Sequence, residues 1–237
     1  MTTSVHNPFT GNGEYWWYKA RANLLESFFG KSVSADAQVL DVGSADGPSV
    51  QFIEDRLGAT GKKTSMDIES EGLSEDDILG SVEDIPVEDE TFDIVSAFDV
   101  IEHVKNESKA FDEIYRVLKP GGWIFVSVPA YQWAWSKHDE AVSHYRRYTK
   151  GRLQAAIRQA GFVEAEVTYG FFGTFPLFAL QRLTAKLARK WAGETPSVTT
   201  GQERILLNLS KIDTLAITAG LQLPWGSSVL LKARKPK

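Results

Sequence analysis

The stretch "SKHDEAVSHYRRY" places two histidines, two carboxylates and two arginines within Ser136–Tyr148. His138, Asp139 and His144 make the one cluster here with the composition of a base and its orienter. A neutral imidazole near its ordinary pKa of about 6.5 can take a proton from a hydroxyl. A neighbouring carboxylate can fix which ring nitrogen carries the proton. Arg146 and Arg147 could bind a phosphate or carboxylate on a substrate, or pair with acids such as Glu14 and hold the loop together. A second stretch, "QVLDVGSADGPSV", ends an apolar run in Asp41 and opens a small-residue loop from Gly43 to Gly47. Gly43 and Gly47 can take positive φ and leave room for a ligand, beside the free N–H groups of a following helix. Ala45 stands where a Gly-x-Gly-x-Gly loop has its middle glycine, so alone this is either a cofactor loop or an ordinary turn. Asp67 lies a little over 20 residues further on, where a carboxylate can accept from both hydroxyls of a ribose.

The elements that must position these residues alternate. "QVLDVG" reads as a strand, "PSVQFIEDRLG" as a helix closed by Gly58, and "KKTSMDIE" as a second strand. "DDILGSV" is a short third strand and "TFDIVSAFDVI" a strongly apolar fourth. "NESKAFDEIYRVLKPGG" has helical spacing and a Pro-Gly-Gly stop. "WIFVSVP" reads as a fifth strand, "TKGRLQAAIRQAG" as a helix, and "VEAEVTYG" and "SSVLLKARK" as the last two strands. Such alternation predicts βαβ units and a mostly parallel sheet, with ligands at the carboxyl ends of the strands. We expect one domain over residues 1–237, with a helical lid over 1–34 and a helical insertion over 171–218.

Composition narrows the classes. The chain has 237 residues, no cysteine and a net charge of −5, which excludes disulfides and thiolate chemistry. Through Ala130 there are 10 Lys and Arg against 24 Asp and Glu; from Tyr131 onward there are 16 against 7. The acidic first part argues against a nucleic-acid protein, while the basic second part could meet an anionic substrate, a phosphate or a membrane surface. "MTTSVHNPFTGNGEYWWYKAR" lacks the layout of a signal peptide, and no stretch approaches the length of a membrane span. The expectation is a cytoplasmic protein.

The ordered motifs "VLDVGSADG", "MDIE", "SVEDIPVEDETFDIVSAFDVIEHV" and "RVLKPGGWIFVSVP" resemble a class I S-adenosylmethionine-dependent methyltransferase, over roughly Gln38 to Phe162. The resemblance implies a Rossmann-like, seven-stranded, mostly parallel sheet with helices on both faces and an antiparallel last strand. It implies S-adenosylmethionine as cofactor and S-adenosylhomocysteine as product. By position it assigns the cofactor to Asp41, Gly43, Ser44, Ala45 and Gly47, to Asp67 and Ile68 at the ribose, and to Ser81, Val82 and Glu83 beside adenine. It also assigns Phe98, Asp99, Val100 and His103 to the cofactor site, with His103 helping to close the pocket. Ser81 stands where the family often has an acid; a hydroxyl accepts there more weakly than a carboxylate. "EYWWYKAR" and "PAYQWAWSKHDEAVSHYRRYTKGRL" are similar to a bacterial subgroup of sugar and natural-product tailoring enzymes. The implied acceptor is therefore a small-molecule hydroxyl, with His138 or His144 as base and Trp17, Arg21, Tyr131, Arg146 and Arg147 around the substrate.

Other readings stay open at this point. N-methylation is one, and a lipid-like or quinone-like acceptor at a membrane surface is another. A nicotinamide-dependent oxidoreductase and a non-catalytic cofactor-binding partner protein are two more. Glu102-His103 can belong to a metal site where further acids or histidines lie close; the plainer expectation is a pocket-closing histidine, and no metal is assigned. Residues 175–191 form an amphipathic basic helix that could be a lid, lie on anionic lipid or pack in a homodimer. Tyr15, Trp16 and Trp17 are expected to pack in an N-terminal helix partly facing the active site.

Overall fold

The computed structural model describes residues 16–43, 50–70, 73–187 and 199–237. Tyr15, Glu14, the loop residues Ser44, Ala45 and Gly47, and the end of the basic helix from 188 lie outside the described residues.

Seven strands form one sheet: β1 (Gln38–Val42), β2 (Lys62–Asp67), β3 (Ile78–Leu79), β4 (Phe92–Phe98), β5 (Leu118–Pro129), β6 (Val163–Gly170) and β7 (Ser228–Arg234). Their order is β3-β2-β1-β4-β5-β7-β6. β1 to β5 pair in parallel, and β7 runs antiparallel between β5 and β6. The expected Rossmann-like sheet with a reversed last strand is the one observed. β4 and β5 lie at the centre, and their "IVSAF" and "IFVSV" runs are buried throughout. Strands covered on both faces need continuous apolar runs rather than alternating ones.

The helices are α1 (Trp16–Phe29), α2 (Gln51–Arg56), α3 (Glu107–Val117), α4 (Lys137–Ala141), α5 (Lys150–Gln159), α6 (Phe175–Leu187) and α7 (Thr200–Thr218). α1 packs against α2 and α7, and α3 against α5. From β1 the chain winds outward through β2 and β3, then returns to β4 on the other side and winds outward again. The winding direction thus reverses between β1 and β4, and in open sheets of this kind ligands bind at such a switch point.

Local chemistry sets the boundaries. Asn106 caps α3 by accepting from the Lys109 amide at 3.3 Å, and Thr149 caps α5 by accepting from that of Arg152 at 3.3 Å. Two details differ from the sequence expectation. The Pro-Gly-Gly segment does more than stop α3: Leu118 already pairs with Phe92, and the ladder resumes at Trp123 after a bulge in which Gly121 has φ +80°. The segment after β5 contains a short helix, α4, whose Ser136 and Asp139 form a capping box. No helix among the described residues is long and apolar enough to cross a membrane.

Candidate active site

The carboxyl ends of β1, β4, β5 and β6 share one edge of the sheet, and the chain leaves each through a left-handed residue. These are Gly43 (φ +71°), Asp99 (+58°), Tyr131 (+61°) and Phe171 (+60°). Non-glycine residues in this region are uncommon and strained, and such residues cluster at ligand sites. At Gly43 even a methyl side chain would overlap Val100 Cγ2. Gly43 is thereby packed against Val100 of the turn after β4.

The first half of this edge runs along β1, β2 and β3. Asp41 is buried and accepts from Ser96 Oγ at 2.6 Å, across the register that pairs the two residues. The Gly43 amide donates to Met66 O at 2.7 Å, which ties the loop to the end of β2. There Asp67 is half-buried, and its Oδ1 accepts the Glu69 amide at 3.2 Å. Ile68 and Leu79, on either side of Asp67 across β2 and β3, are 73% and 59% exposed. Asp67 thus stands beside two uncovered apolar side chains, one next to it in the chain and one opposite it in the ladder. Val82 is buried, Ser81 Oγ accepts from the Glu83 amide at 3.2 Å, and Glu83 accepts from the Asn106 amide at 3.2 Å.

The second half of the edge carries the titratable groups. His144 Nδ1 lies 2.8 Å from Asp139 Oδ1. Arg147 is buried and grips the same carboxylate with Nε at 2.7 Å and Nη2 at 3.1 Å. The Ser136 amide and hydroxyl also donate to Asp139, at 2.8 and 3.1 Å. Burial alone would raise the Asp139 pKa, but His144, Arg147 and Ser136 together hold it far below the usual carboxylate range. Asp139 is therefore a fixed anion. It can accept a hydrogen bond from His144 Nδ1–H, the tautomer that leaves Nε2 as the lone-pair nitrogen.

Nε2 points toward Glu102 Oε1, 3.9 Å away. Glu102 is buried, and neither of its carboxylate oxygens has a hydrogen-bond partner among the described residues. Burial first, and then the charge of Asp99, push its pKa well above the ordinary value. The Tyr145 amide donates to Glu102 O at 2.7 Å and so docks the 136–148 segment on the turn after β4.

Residues 40–126 match the family model described as a methyltransferase domain. A ubiquinone/menaquinone biosynthesis C-methyltransferase of Hydrogenovibrio crunogenus is 34% identical over 102 residues, which cover 37% of this chain and 40% of the relative. A mitochondrial ubiquinone biosynthesis O-methyltransferase of Candida albicans is 33% identical over 108 residues, covering 46% and 27%. The chain thus spans less than half the length of these relatives. Phosphoethanolamine N-methyltransferase 2 of Haemonchus contortus, solved with S-adenosyl-L-methionine, shares the fold with a TM-score of 0.59 at 16% identity, covering all of this chain and 61% of that one. Residues 40–126 thus carry a methyltransferase-domain match, set in the seven-stranded fold described above.

Within this methyltransferase domain the structure sorts the expected site residues. It brings Asp139 and His144 together and leaves His138 exposed, its ring 6.5 Å from that of His144. His103 is exposed and meets His144 edge to face at 4.5 Å. Phe98 is buried against Phe29, and Val100 borders Gly43. Arg147 is committed to Asp139 and to Ala130 O, and Arg146 donates to Lys105 O at 2.7 Å and pairs with Glu107. Both guanidinium groups thus serve the protein's own acids and carbonyls. Arg21 is buried with Nη2 2.8 Å from Asp99 Oδ2, and Trp17 stacks on Phe171. α1 is so fastened to the exits of β4 and β6. Tyr131 opens an aromatic wall, stacked on Tyr169 at 5.2 Å and Trp133 at 5.9 Å, with Phe175 at 5.6 Å.

Sequence reasoning passed over three contributors. Glu102 was read only beside His103. Leu79 shows itself only through its pairing with Asp67. Asp213, in α7, is buried and accepts the amides of Phe172 at 2.6 Å and Gly173 at 2.9 Å, which fixes the turn beneath the aromatic wall.

Proposed function

We propose that this chain transfers a methyl group from S-adenosylmethionine to a hydroxyl of a small-molecule acceptor such as a sugar or natural product. The observation that carries the reading is the Asp139–His144 pair, which the Tyr145–Glu102 contact docks on the turn after β4. Bound S-adenosylmethionine supplies a methyl carbon on a sulfonium sulfur, and displacement returns the electron pair to sulfur to give S-adenosylhomocysteine. Asp41 and Asp67 hold the amino acid and ribose ends, and Ile68, Leu79 and Val82 cover the base. The acceptor oxygen must be held in line, about 3 Å from the methyl carbon. Its lone pair forms the new C–O bond while its proton passes to Nε2 of His144. Asp139 stabilises the imidazolium that results, and Arg147 keeps Asp139 ionised.

A second reading is favoured by the surface beside the aromatic wall. Leu177, Leu180 and Leu183 of α6 are 53%, 60% and 51% exposed, and Phe175 of the same helix belongs to the wall. An apolar, quinone-like acceptor reached from a membrane surface suits such a stripe. Matched sets of hydroxylated sugars, amines and quinols incubated with labelled cofactor separate the two.

Calorimetry with S-adenosylmethionine and S-adenosylhomocysteine tests the cofactor half of both. Binding is expected in the micromolar range. Asp67→Ala removes hydrogen bonds to a charged group worth about 1.5–3 kcal/mol and should weaken binding at least tenfold. Absence of binding by the unsubstituted chain would sink both readings.

A further inference from the structure

We infer that Glu102, His103 and His144 form a binding site for a divalent first-row transition ion. The inference deepens the proposed function, because the site adjoins the acceptor oxygen assigned there.

The donor atoms of these three side chains lie within 4.8 Å of one another. Glu102 Oε1 and His144 Nε2 stand 3.9 Å apart. An ion with bonds of about 2.1 Å holds neighbouring donors about 3–4 Å apart, so this pair already has the spacing, and a ring nitrogen of His103 lies within 4.8 Å of both. Two features separate the cluster from a chance meeting of polar groups. Glu102 is 1% exposed with both carboxylate oxygens lacking a hydrogen-bond partner among the described residues, whereas buried polar atoms are nearly always partnered. His144 has its far nitrogen, Nδ1, on Asp139, which Arg147 and Ser136 hold in turn. A carboxylate behind the histidine fixes the ring and turns its Nε2 lone pair to the metal, as carboxylate–histidine–metal sites do.

Two imidazoles and one carboxylate suit zinc, manganese, iron or cobalt better than the harder magnesium, which favours oxygen donors. Three protein ligands also leave coordination positions for an acceptor. With an ion in place, Nε2 of His144 is a ligand rather than a base. The acceptor hydroxyl is acidified by coordination and releases its proton to water. The oxygen then forms its bond to the methyl carbon as the carbon–sulfur bond breaks onto sulfur, as before. This departs from the expectation that no metal is used and that His103 merely closes the pocket.

The test uses the full chain, stripped with chelator and titrated with Co2+, then Zn2+, while visible absorption and calorimetry are followed. One equivalent of Co2+ should bind with ligand-field bands that Zn2+ abolishes. His103→Asn and Glu102→Gln should each weaken binding at least tenfold, and Asp139→Asn 10–100-fold. His103 is exposed, so its variant keeps the fold and decides the matter if Glu102→Gln does not fold. No ion bound at millimolar concentration overturns the site, as does binding unchanged in His103→Asn. S-adenosylmethionine calorimetry on the same samples keeps the two proposals apart. Cofactor binding without metal binding leaves the transferase standing and removes the ion. Metal binding without cofactor binding keeps the ion site and removes the transferase.

Discussion

Gly43 makes the clearest single-residue case. Its φ of +71° and its contact with Val100 leave no space for a Cβ. Gly43→Ala must either adopt the left-handed region at about 1–2 kcal/mol or push the turn after β4 away. We expect a lower unfolding midpoint in urea with an unchanged slope, and at least tenfold weaker S-adenosylmethionine binding. An alanine variant that binds as tightly as the original would show that this loop does not hold the cofactor. Gly43 and Asp67 were legible because backbone conformation and strand ends leave marks in residue type. The pairing of Asp139 with His144 was legible as chemistry, but which histidine pairs was not. Only the turn at the end of α4, with Ser143 at φ +60°, brings His144 back over Asp139. In sequence Arg147 reads, like Arg146, as an anion-binding residue or a loop-holding cation, because a basic doublet carries no sign that one member is buried beneath a carboxylate.

At the scale of elements, α3 and α5 are joined through Glu107, the first residue of α3. Its carboxylate accepts from the buried Tyr148 hydroxyl at 2.6 Å and from Arg152 at 3.0 Å, and Arg146 lies 3.5 Å away. Burial alone would raise its pKa, but Tyr148 and Arg152 outweigh that and lower it. A carboxyl whose folded pKa lies below its unfolded value of about 4.3 stabilises the fold above that value and loses the contribution as pH falls through the folded one. Glu107→Gln is therefore expected to cost about 1–3 kcal/mol at pH 7, and less as the pH drops below about 4. Urea unfolding of both proteins at pH 7 and pH 3.5 measures it, and a difference that grows toward acid would contradict the assignment. Element type was mostly readable here because capping residues, glycine stops and apolar runs act locally. Helix α4 escaped notice because five polar-rich residues carry no periodic face. The early start of β5 escaped because Pro-Gly-Gly reads as a stop whether or not the next residue has already joined a ladder.

At the scale of the molecule, strand order was beyond what the alternation alone could specify. Whether β7 lies at the edge or between β5 and β6 depends on packing among residues more than 60 positions apart, such as Val126 against Leu231 and Thr168 against Leu230; the reversed last strand came from the family resemblance. That order aligns the exits of β1, β4, β5 and β6 on one edge, and the side chains there cross-link the architecture. Asp99 joins α1 to β4, Trp17 joins α1 to the exit of β6, and Asp213 joins α7 to the same turn. A ligand lying across β1 and β4 thus touches groups that unfold together, and its binding energy adds to global stability rather than to one loop. At 100 times its dissociation constant a ligand bound only by the native state adds about 2.7 kcal/mol, or roughly 5–10 °C in Tm for a chain of this size. S-adenosylmethionine and S-adenosylhomocysteine should each produce such a shift, whereas NAD and NADP at equal concentration should produce none. The reverse pattern would favour the dinucleotide reading. The contrast is informative because both cofactor types use a glycine loop and a ribose-binding acid. They differ in what lies beyond β4, where a second nucleotide would meet the buried Glu102 and the 136–148 segment docked on it.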